Sequence, residues 1–176
     1  MPHVHAGHGF GQTGKRMDID VKKIMEEFDT DKTAVLESRS AADTAALGQR
    51  LGEICAPGQV YTLTGDLGVG KTVFTQGFAR GLGVEGPVNS PTFTILQVYE
   101  DGRMPFYHFD VYRIADVEEM EEIGYEDCFY GEGVCLIEWA NLIEEILPED
   151  SIQVTIEKDL EKGFDYRRIH VKRFSK

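Results

Sequence analysis

Residues 65–72 of this 176-residue chain read Gly65-Asp66-Leu67-Gly68-Val69-Gly70-Lys71-Thr72. The stretch matches the phosphate-binding pattern G-x-x-x-x-G-K-[ST] at every required position. Its glycines allow successive main-chain N–H groups to converge on a phosphate, because no Cβ atom stands in the way. The lysine of this pattern reaches the β- and γ-phosphates of a nucleotide, and the hydroxyl after it binds Mg²⁺. The stretch therefore predicts a site for a nucleoside triphosphate, with Lys71 and Thr72 in these two roles.

The sequence on either side of residues 65–72 supports this interpretation. Residues 60–64 are apolar or β-branched, which predicts a buried strand. Residues 73–82 place apolar side chains on one helical face, and Gly81 and Gly83 can end that helix. A strand, a glycine loop and a helix in this order are the context that the phosphate-binding pattern requires.

Length and composition predict one folded domain. The chain has 176 residues, 41% of them hydrophobic, which is enough for one core of ordinary size. Residues 1–31 are predicted to be an N-terminal extension, partly disordered because its start is rich in Gly and His, and residues 32–176 a P-loop ATPase domain. No apolar run is long enough to span a membrane. Three cysteines without a C-x-x-C spacing are typical of reduced thiols, which predicts a cytoplasmic location.

The formal net charge of −13 restricts what the chain can bind on its own. Proteins that bind nucleic acid directly need clustered Lys and Arg for the phosphates, so this charge argues against such a role. It is also unfavourable for binding an anionic nucleotide, and the site has to supply positive potential through Lys71, main-chain amides and Mg²⁺. Any work on a nucleic acid is therefore expected to depend on partners that carry the basic surface.

The remaining patterns predict an α/β domain with three layers. Continuous apolar strands are typical of the parallel centre of a sheet, and the Asp101-Gly102 turn joins two others into an antiparallel hairpin. The predicted fold class is thus a three-layer, P-loop NTPase-like domain with a mixed, mainly parallel sheet and an antiparallel hairpin. Strands are predicted over 33–37, 60–64, 92–99, 105–111, 134–137, 152–156 and 168–171, and helices over 18–28, about 41–55, 73–82 and 141–147.

A P-loop site also needs a carboxylate near the Mg²⁺ position, usually at the end of a neighbouring strand. Glu138 directly follows an apolar strand and is the first candidate, while Asp110 closes the preceding strand and is its rival. Ligands of open α/β sheets bind at the carboxyl ends of the strands, so both side chains can face one site. Trp139 follows Glu138 and lies either against the nucleotide or in the core.

Four further stretches share the order and spacing of a known family. They are Ser90-Pro91-Thr92-Phe93-Thr94, Tyr107-His108-Phe109-Asp110-Val111-Tyr112-Arg113, Glu121-Glu122-Ile123-Gly124-Tyr125 and Cys135-Leu136-Ile137-Glu138-Trp139. Together with residues 65–72, they resemble the TsaE (YjeE-like) family of P-loop ATPases of tRNA threonylcarbamoyladenosine biosynthesis. The likeness covers about residues 33–171.

The resemblance implies a function and a set of partners. ATP is the implied nucleotide, Mg²⁺ the implied cofactor, and the implied role is ATP hydrolysis during N6-threonylcarbamoylation of adenosine 37 in tRNAs reading ANN codons. A TsaB–TsaD heterodimer is the implied partner, with tRNA reached indirectly through that complex and no membrane involved. Hydrolysis is expected to be slow in the isolated chain and raised by the partner.

The resemblance also implies roles for individual residues. Catalytic roles fall on Lys71, Asp110, Glu138 and Thr92, with Asp110 and Thr92 near the γ-phosphate. Thr72 and Glu138 are the implied ligands of Mg²⁺. The implied nucleotide contacts are Thr44 beside the adenine, Gly65, Asp66, Leu67, Gly68, Val69, Gly70, Lys71, Thr72, Trp139 and Arg168.

Two other functions are compatible with the same loop. A small-molecule kinase would need a lid that carries arginines, and residues 81–87 contain none. A nucleotide-sensing adaptor would share every site residue with an ATPase and differ from it only in turnover. The chain lacks the N-K-x-D pattern with which GTPases read guanine, so ATP is favoured over GTP.

Overall fold

The computed structural model describes residues 33–91 and 93–173, which form one sheet with helices on both faces. The predicted extension 1–31, with its helix over 18–28, and Thr92 lie outside the described residues. No helix within the described ranges is apolar and long enough to cross a membrane. In chain order the elements are β1 (Ala34–Ser38), α1 (Ala41–Ile54), β2 (Val60–Thr64), α2 (Lys71–Gly81), β3 (Leu96–Tyr99), β4 (Phe106–Asp110), α3 (Glu118–Glu122), α4 (Tyr125–Phe129), β5 (Val134–Glu138), a 3-10 helix (Ala140–Ile146), β6 (Ile152–Lys158) and β7 (Arg167–Arg173).

The seven strands follow the order β1-β7-β6-β2-β5-β4-β3. The four central strands β6, β2, β5 and β4 are parallel, and antiparallel pairs complete both edges. This arrangement confirms the predicted mixed sheet and its hairpin of β3 and β4. In the parallel ladders, Glu138 lies opposite Leu63 on one side and opposite Asp110 on the other. The carboxyl ends of β2, β4 and β5 therefore meet at one edge of the sheet, where the loop after β2 begins.

Two apolar clusters, one on each face of the sheet, give the domain its three layers. Strand residues alternate between the faces, because successive side chains of a strand point in opposite directions. Phe106 and Leu136 pack toward α1 and α2, whereas Phe109 and Ile137 pack toward α3, α4 and the 3-10 helix. The predicted three-layer α/β architecture is confirmed.

Helices α1 and α2 cross with their backbones in close contact. Helix α1 begins at the N-cap residue Ser40, whose hydroxyl accepts a hydrogen bond from the Asp43 N–H. Each helix carries two glycines four residues apart, so they line one face. A Cβ atom added at any of the four would lie 2.1–2.2 Å from a carbonyl oxygen of the opposite helix. These glycines are Gly48, Gly52, Gly77 and Gly81.

Two of the predicted elements differ in extent or type from the sequence-based expectation, and α4 was not predicted. The strand predicted over 92–99 pairs with β4 only over Leu96–Tyr99. It is shorter than predicted because β4 ends at Asp110, whose N–H donates to the Ile95 carbonyl oxygen. The helix predicted over 141–147 is a 3-10 helix over Ala140–Ile146 that is interrupted at Ile143. The interruption divides its seven residues into two short turns, as is usual for 3-10 geometry, and the Ile143 side chain lies in the core.

The close crossing of α1 and α2 makes a stability prediction. In Gly77→Ala the new methyl group would lie 2.1 Å from the Ala45 carbonyl oxygen, so the helices have to separate. We expect the free energy of unfolding to fall by about 1–3 kcal/mol, although alanine is the better helix former. Urea unfolding measures this loss. Gly86→Ala is the matched control, because a Cβ atom there meets nothing within 4 Å; equal effects of the two variants would contradict the steric explanation.

Candidate functional site

The loop over residues 65–72 has the backbone conformation of a phosphate cradle. Gly68 and Gly70 adopt left-handed conformations with φ of 77° and 110°, which glycine reaches without steric cost. Val69 between them is buried, and its N–H donates to the Asp66 carbonyl oxygen at 3.2 Å. The Leu67 side chain projects from the tip of the loop and is almost fully exposed. The loop therefore turns back on itself with one residue anchored in the core.

The start of the loop is pressed against β6. A Cβ atom at Gly65 would lie 2.8 Å from the carbonyl oxygen of Ile156, so only glycine fits there. Helix α2 then begins directly after Gly70, and the Phe74 N–H donates to the Gly70 carbonyl oxygen at 3.0 Å. The N-cap residue is a glycine, so no side chain competes for the first amides of α2. Lys71 and Thr72 are the first two residues of α2, where the free amides and the positive end of the helix dipole favour an anion.

Thr44 brings α1 to the same loop. Its side chain is buried, its hydroxyl lies 2.7 Å from that of Ser38, and a Cβ atom at Gly70 would lie 3.8 Å from its methyl group. The methyl group of Thr44 therefore lies next to the phosphate loop. Its contact with adenine stays a prediction.

Glu138 is a buried carboxylate at the end of β5. Its Oε2 atom lies 3.2 Å from His108 Nε2 and accepts from the Ser90 hydroxyl at 3.3 Å. Burial by itself raises the pKa of Glu138, but the interaction with His108, the charge of Lys71 and the Ser90 hydroxyl outweigh it. The pKa of Glu138 is therefore below its ordinary value of 4.5, and the side chain is an anion at neutral pH.

His108 is a positioned neighbour that the sequence interpretation did not assign. It is fully buried on β4, its ring is stacked on that of Phe106, and its Nδ1 has no hydrogen-bond partner among the described residues. A carboxylate only accepts hydrogen bonds, so the contact with Glu138 requires the proton on Nε2. Side chains alternate between the faces along β4, so His108 and Asp110 lie on the same face. This alternation was the signal from which a place for His108 near the site could have been predicted.

Asp110 and Trp139 complete the rim of the site. Asp110 pairs with Glu138 in the ladder and accepts from the Tyr112 N–H at 3.0 Å. Trp139 has a positive φ of 62°, which is strained for a bulky residue. The centre of its ring lies 5.6 Å from the Lys71 ammonium nitrogen and 4.8 Å from the centre of the Tyr112 ring. The structure thus brings Lys71, Asp110, Glu138 and Trp139 to the same edge of the sheet.

Two neighbouring arginines of β7 have different surroundings. Arg168, the predicted nucleotide contact, donates to Asp159 at 3.2 Å, and its guanidinium lies 5.9 Å from the centre of the Tyr166 ring. Arg167 instead donates through Nε to the Val69 carbonyl oxygen at 2.7 Å and so contacts the phosphate loop directly. Sequence reasoning missed Arg167, since two adjacent arginines carry no signal for which one turns toward the loop.

A strand, a glycine cradle that leads into a helix, and a buried acid on the adjacent strand together define a P-loop NTPase domain. Residues 38–169 match the model of the family described as threonylcarbamoyl adenosine biosynthesis protein TsaE. The chain belongs to the TsaE family, and the resemblance seen in its sequence is confirmed.

Relatives and a solved structure agree with this family. The protein named tRNA threonylcarbamoyladenosine biosynthesis protein TsaE from Bacillus subtilis is 51% identical over 127 residues, which are 72% of this chain and 77% of that relative. The protein of the same name from Treponema pallidum is 46% identical over 119 residues, or 68% and 87% of the two chains. The crystal structure of Bacillus subtilis YdiB superposes with a TM-score of 0.67 at 41% identity and covers 81% of this chain and 86% of that one.

The contact between His108 and Glu138 predicts a change in titration. His108→Phe keeps an aromatic ring against Phe106 and removes the proton donor, so burial then dominates and the pKa of Glu138 rises above that of the wild type. Carboxyl ¹³C NMR over a pH series measures this midpoint. His170→Phe is the matched control, because His170 and Glu157 form a contact of the same 3.2 Å length on the surface. An unchanged Glu138 midpoint in His108→Phe would contradict the assigned role of His108.

Proposed function

We propose that this chain binds ATP together with Mg²⁺ and hydrolyses it in support of tRNA threonylcarbamoyladenosine synthesis. The observation that carries the proposal is the convergence of the phosphate cradle, Lys71 and the ionised, buried Glu138 at one edge of the sheet. The names of the relatives supply the pathway. Family membership and geometry thus support the same function.

The triphosphate is held mainly by main-chain amides. The left-handed glycines of residues 65–72 turn these amides to one side, and Lys71 supplies an ammonium group for the β- and γ-oxygens. Thr44, Trp139 and Arg168 are proposed to surround the remainder of the nucleotide. The exposed tip of the loop at Leu67 leaves the mouth of this site open to solvent or to a partner.

The donor set fits Mg²⁺. Thr72 offers a hydroxyl at the start of α2, and Glu138 offers a carboxylate that stays ionised because of its low pKa. The Ser90 hydroxyl and His108 Nε2 both contact Oε2 of Glu138, and its other oxygen is proposed to bind the cation. Hard oxygen ligands of this kind suit Mg²⁺, which keeps several waters and binds one or two carboxylates with the phosphates. When bound, the metal ion neutralises charge on the β- and γ-oxygens.

The hydrolysis step needs positioning more than covalent chemistry. We assign Lys71 to the stabilisation of charge on the phosphoryl oxygens. Asp110 is assigned to the orientation of the attacking water, since it stands next to Glu138 in the ladder. Thr92 is proposed to lie near the γ-phosphate. The isolated chain is expected to turn over slowly, because none of these residues is an arginine that could reach the transferred group.

The proposed partner is a TsaB–TsaD heterodimer, which would bring the tRNA. The net charge of −13 supports a partner that binds the tRNA, because a chain of this charge binds nucleic acid poorly on its own.

A reconstitution tests the proposed function. The purified chain, TsaB–TsaD, tRNA, threonine, bicarbonate and ATP are combined, and the modified nucleoside is measured by mass spectrometry. Product that forms equally well without this chain would overturn the proposed function.

The role of Lys71 gives the first functional prediction. In Lys71→Ala, the loss of a charge-assisted contact to the phosphates is expected to weaken ATP binding by tenfold or more. Calorimetric titration measures the dissociation constant. Lys172→Ala removes an exposed lysine of β7 and serves as the control for net charge. Wild-type affinity in Lys71→Ala would remove the basis of the proposal.

The two carboxylates can be separated by one pair of variants. Glu138→Gln removes a metal ligand, so the Mg²⁺ concentration that gives half-maximal ATPase activity should rise by tenfold or more. In Asp110→Asn, we expect kcat to fall while the Mg²⁺ dependence stays near that of the wild type. The reverse pattern would assign the metal to Asp110 and the water to Glu138.

A further inference from the structure

The phosphate loop has an unusually free backbone position on each side of Val69. Gly68 and Gly70 both occupy left-handed conformations, and glycine moves between such conformations and others at little cost. Val69 itself is held by its buried side chain and by the N–H contact with Asp66. Neither anchor fixes the peptide plane that follows Val69, so its orientation needs another constraint.

Arg167 supplies a constraint from the other end of the chain. Its Nε donates to the Val69 carbonyl oxygen at 2.7 Å. The same guanidinium donates through Nη1 to the carbonyl oxygens of Phe164 at 2.9 Å and Tyr166 at 2.8 Å. The side chain is therefore fixed against the turn before β7, and it cannot follow a movement of the phosphate loop without breaking these bonds.

The planarity of the peptide group links this contact to the phosphates. No cis peptide bond occurs in the described ranges, and in a trans peptide the C=O and N–H groups point in opposite directions. With the Val69 carbonyl turned toward Arg167, the Gly70 N–H points to the opposite side, where the amides of a phosphate loop converge. We propose that Arg167 is a positioning residue that holds the Gly70 amide toward the phosphates of the nucleotide. The inference rests on the proposed binding of ATP.

Two neutral substitutions isolate the hydrogen bond. In Arg167→Gln, the side-chain amide nitrogen stands at the same number of bonds from Cα as the arginine Nε and can still donate. In Arg167→Met, an apolar methyl group occupies that position. Both variants lose the positive charge and the two Nη1 contacts, so they differ mainly in the donor to Val69.

The experiment is a calorimetric titration of each full-length variant with ATP and Mg²⁺, together with thermal unfolding in the absence of nucleotide. We expect Arg167→Met to bind ATP about three- to tenfold more weakly than Arg167→Gln, as the loss of one hydrogen bond predicts. Equal affinities of the two variants would overturn the inference, even if both melt at a lower temperature than the wild type. A wild-type chain that fails to bind ATP would instead overturn the proposed function.

A third variant keeps the test decisive if Arg167→Met does not fold. Arg167→Lys retains the charge but has a methylene group at the position of Nε and its ammonium one atom further out. Positioning by the hydrogen bond predicts tighter ATP binding by Arg167→Gln than by Arg167→Lys. The opposite order would show that Arg167 acts through its charge and would overturn the assignment. Arg50→Met, on the exposed surface of α1, controls for a general loss of positive charge.

Discussion

The backbone contact between α1 and α2 sets the geometry on which the site depends. At Gly77 and Ala45 the main chains approach so closely that no side-chain atom fits between them. Such a contact is stiffer than one between flexible side chains, because neither backbone can change rotamer to make room. Helix α2 begins with Lys71, so its axis fixes the direction of the phosphate loop amides. Thr44 precedes Ala45 on α1 and lies against Gly70, which ties the same contact to the loop itself.

Local charge, rather than the charge of the whole chain, decides how the site can bind a polyanion. The chain as a whole is strongly acidic, and Glu138 and Asp110 stand side by side at the edge where the phosphates would lie. Amides at the start of α2 and the Lys71 ammonium oppose this repulsion over short distances. In the proposed function, a divalent cation held by Thr72 and Glu138 would supply the remaining positive charge. The acidic strand end is therefore the feature that makes a metal ion part of the proposed function.

The parts of the site that follow one another along the chain could be predicted from the sequence. The β2 strand, the loop over 65–72 and the start of α2 carry local signals of periodicity and glycine spacing, and all three are confirmed. Glu138 was predicted to follow an apolar strand directly, and in the structure it is the last residue of β5. The fold class could be predicted from one sequence because the spacing of apolar residues within each segment distinguishes strands from helices.

The parts that depend on register or on side-chain direction could not be predicted in this way. His108 meets Glu138 only because β4 and β5 pair in parallel with Asp110 opposite Glu138, and no local pattern specifies that register. The choice between Arg167 and Arg168 depends on which face of β7 meets the phosphate loop. The four-residue spacing of the glycines in α1 and in α2 is visible in the sequence. Their role in close packing depends on the contact between the two helices, which the spacing alone does not show.

Two unfavourable local features of the described chain lie directly beside Glu138, the candidate metal ligand. Trp139 adopts a left-handed conformation at a cost of about 1–3 kcal/mol. His108, which contacts Glu138, has a buried Nδ1 without a hydrogen-bond partner in the described ranges. Such an unpaired buried group also costs about 1–3 kcal/mol. Both costs result from geometry that serves Glu138: one residue turns the chain sharply after it, and the other donates to its carboxylate. Packing elsewhere in the core offsets them, since strain of this size persists only where the surrounding structure holds it in place. The location of the strain is therefore an independent indication that this edge of the sheet is organised for ligand chemistry rather than for stability.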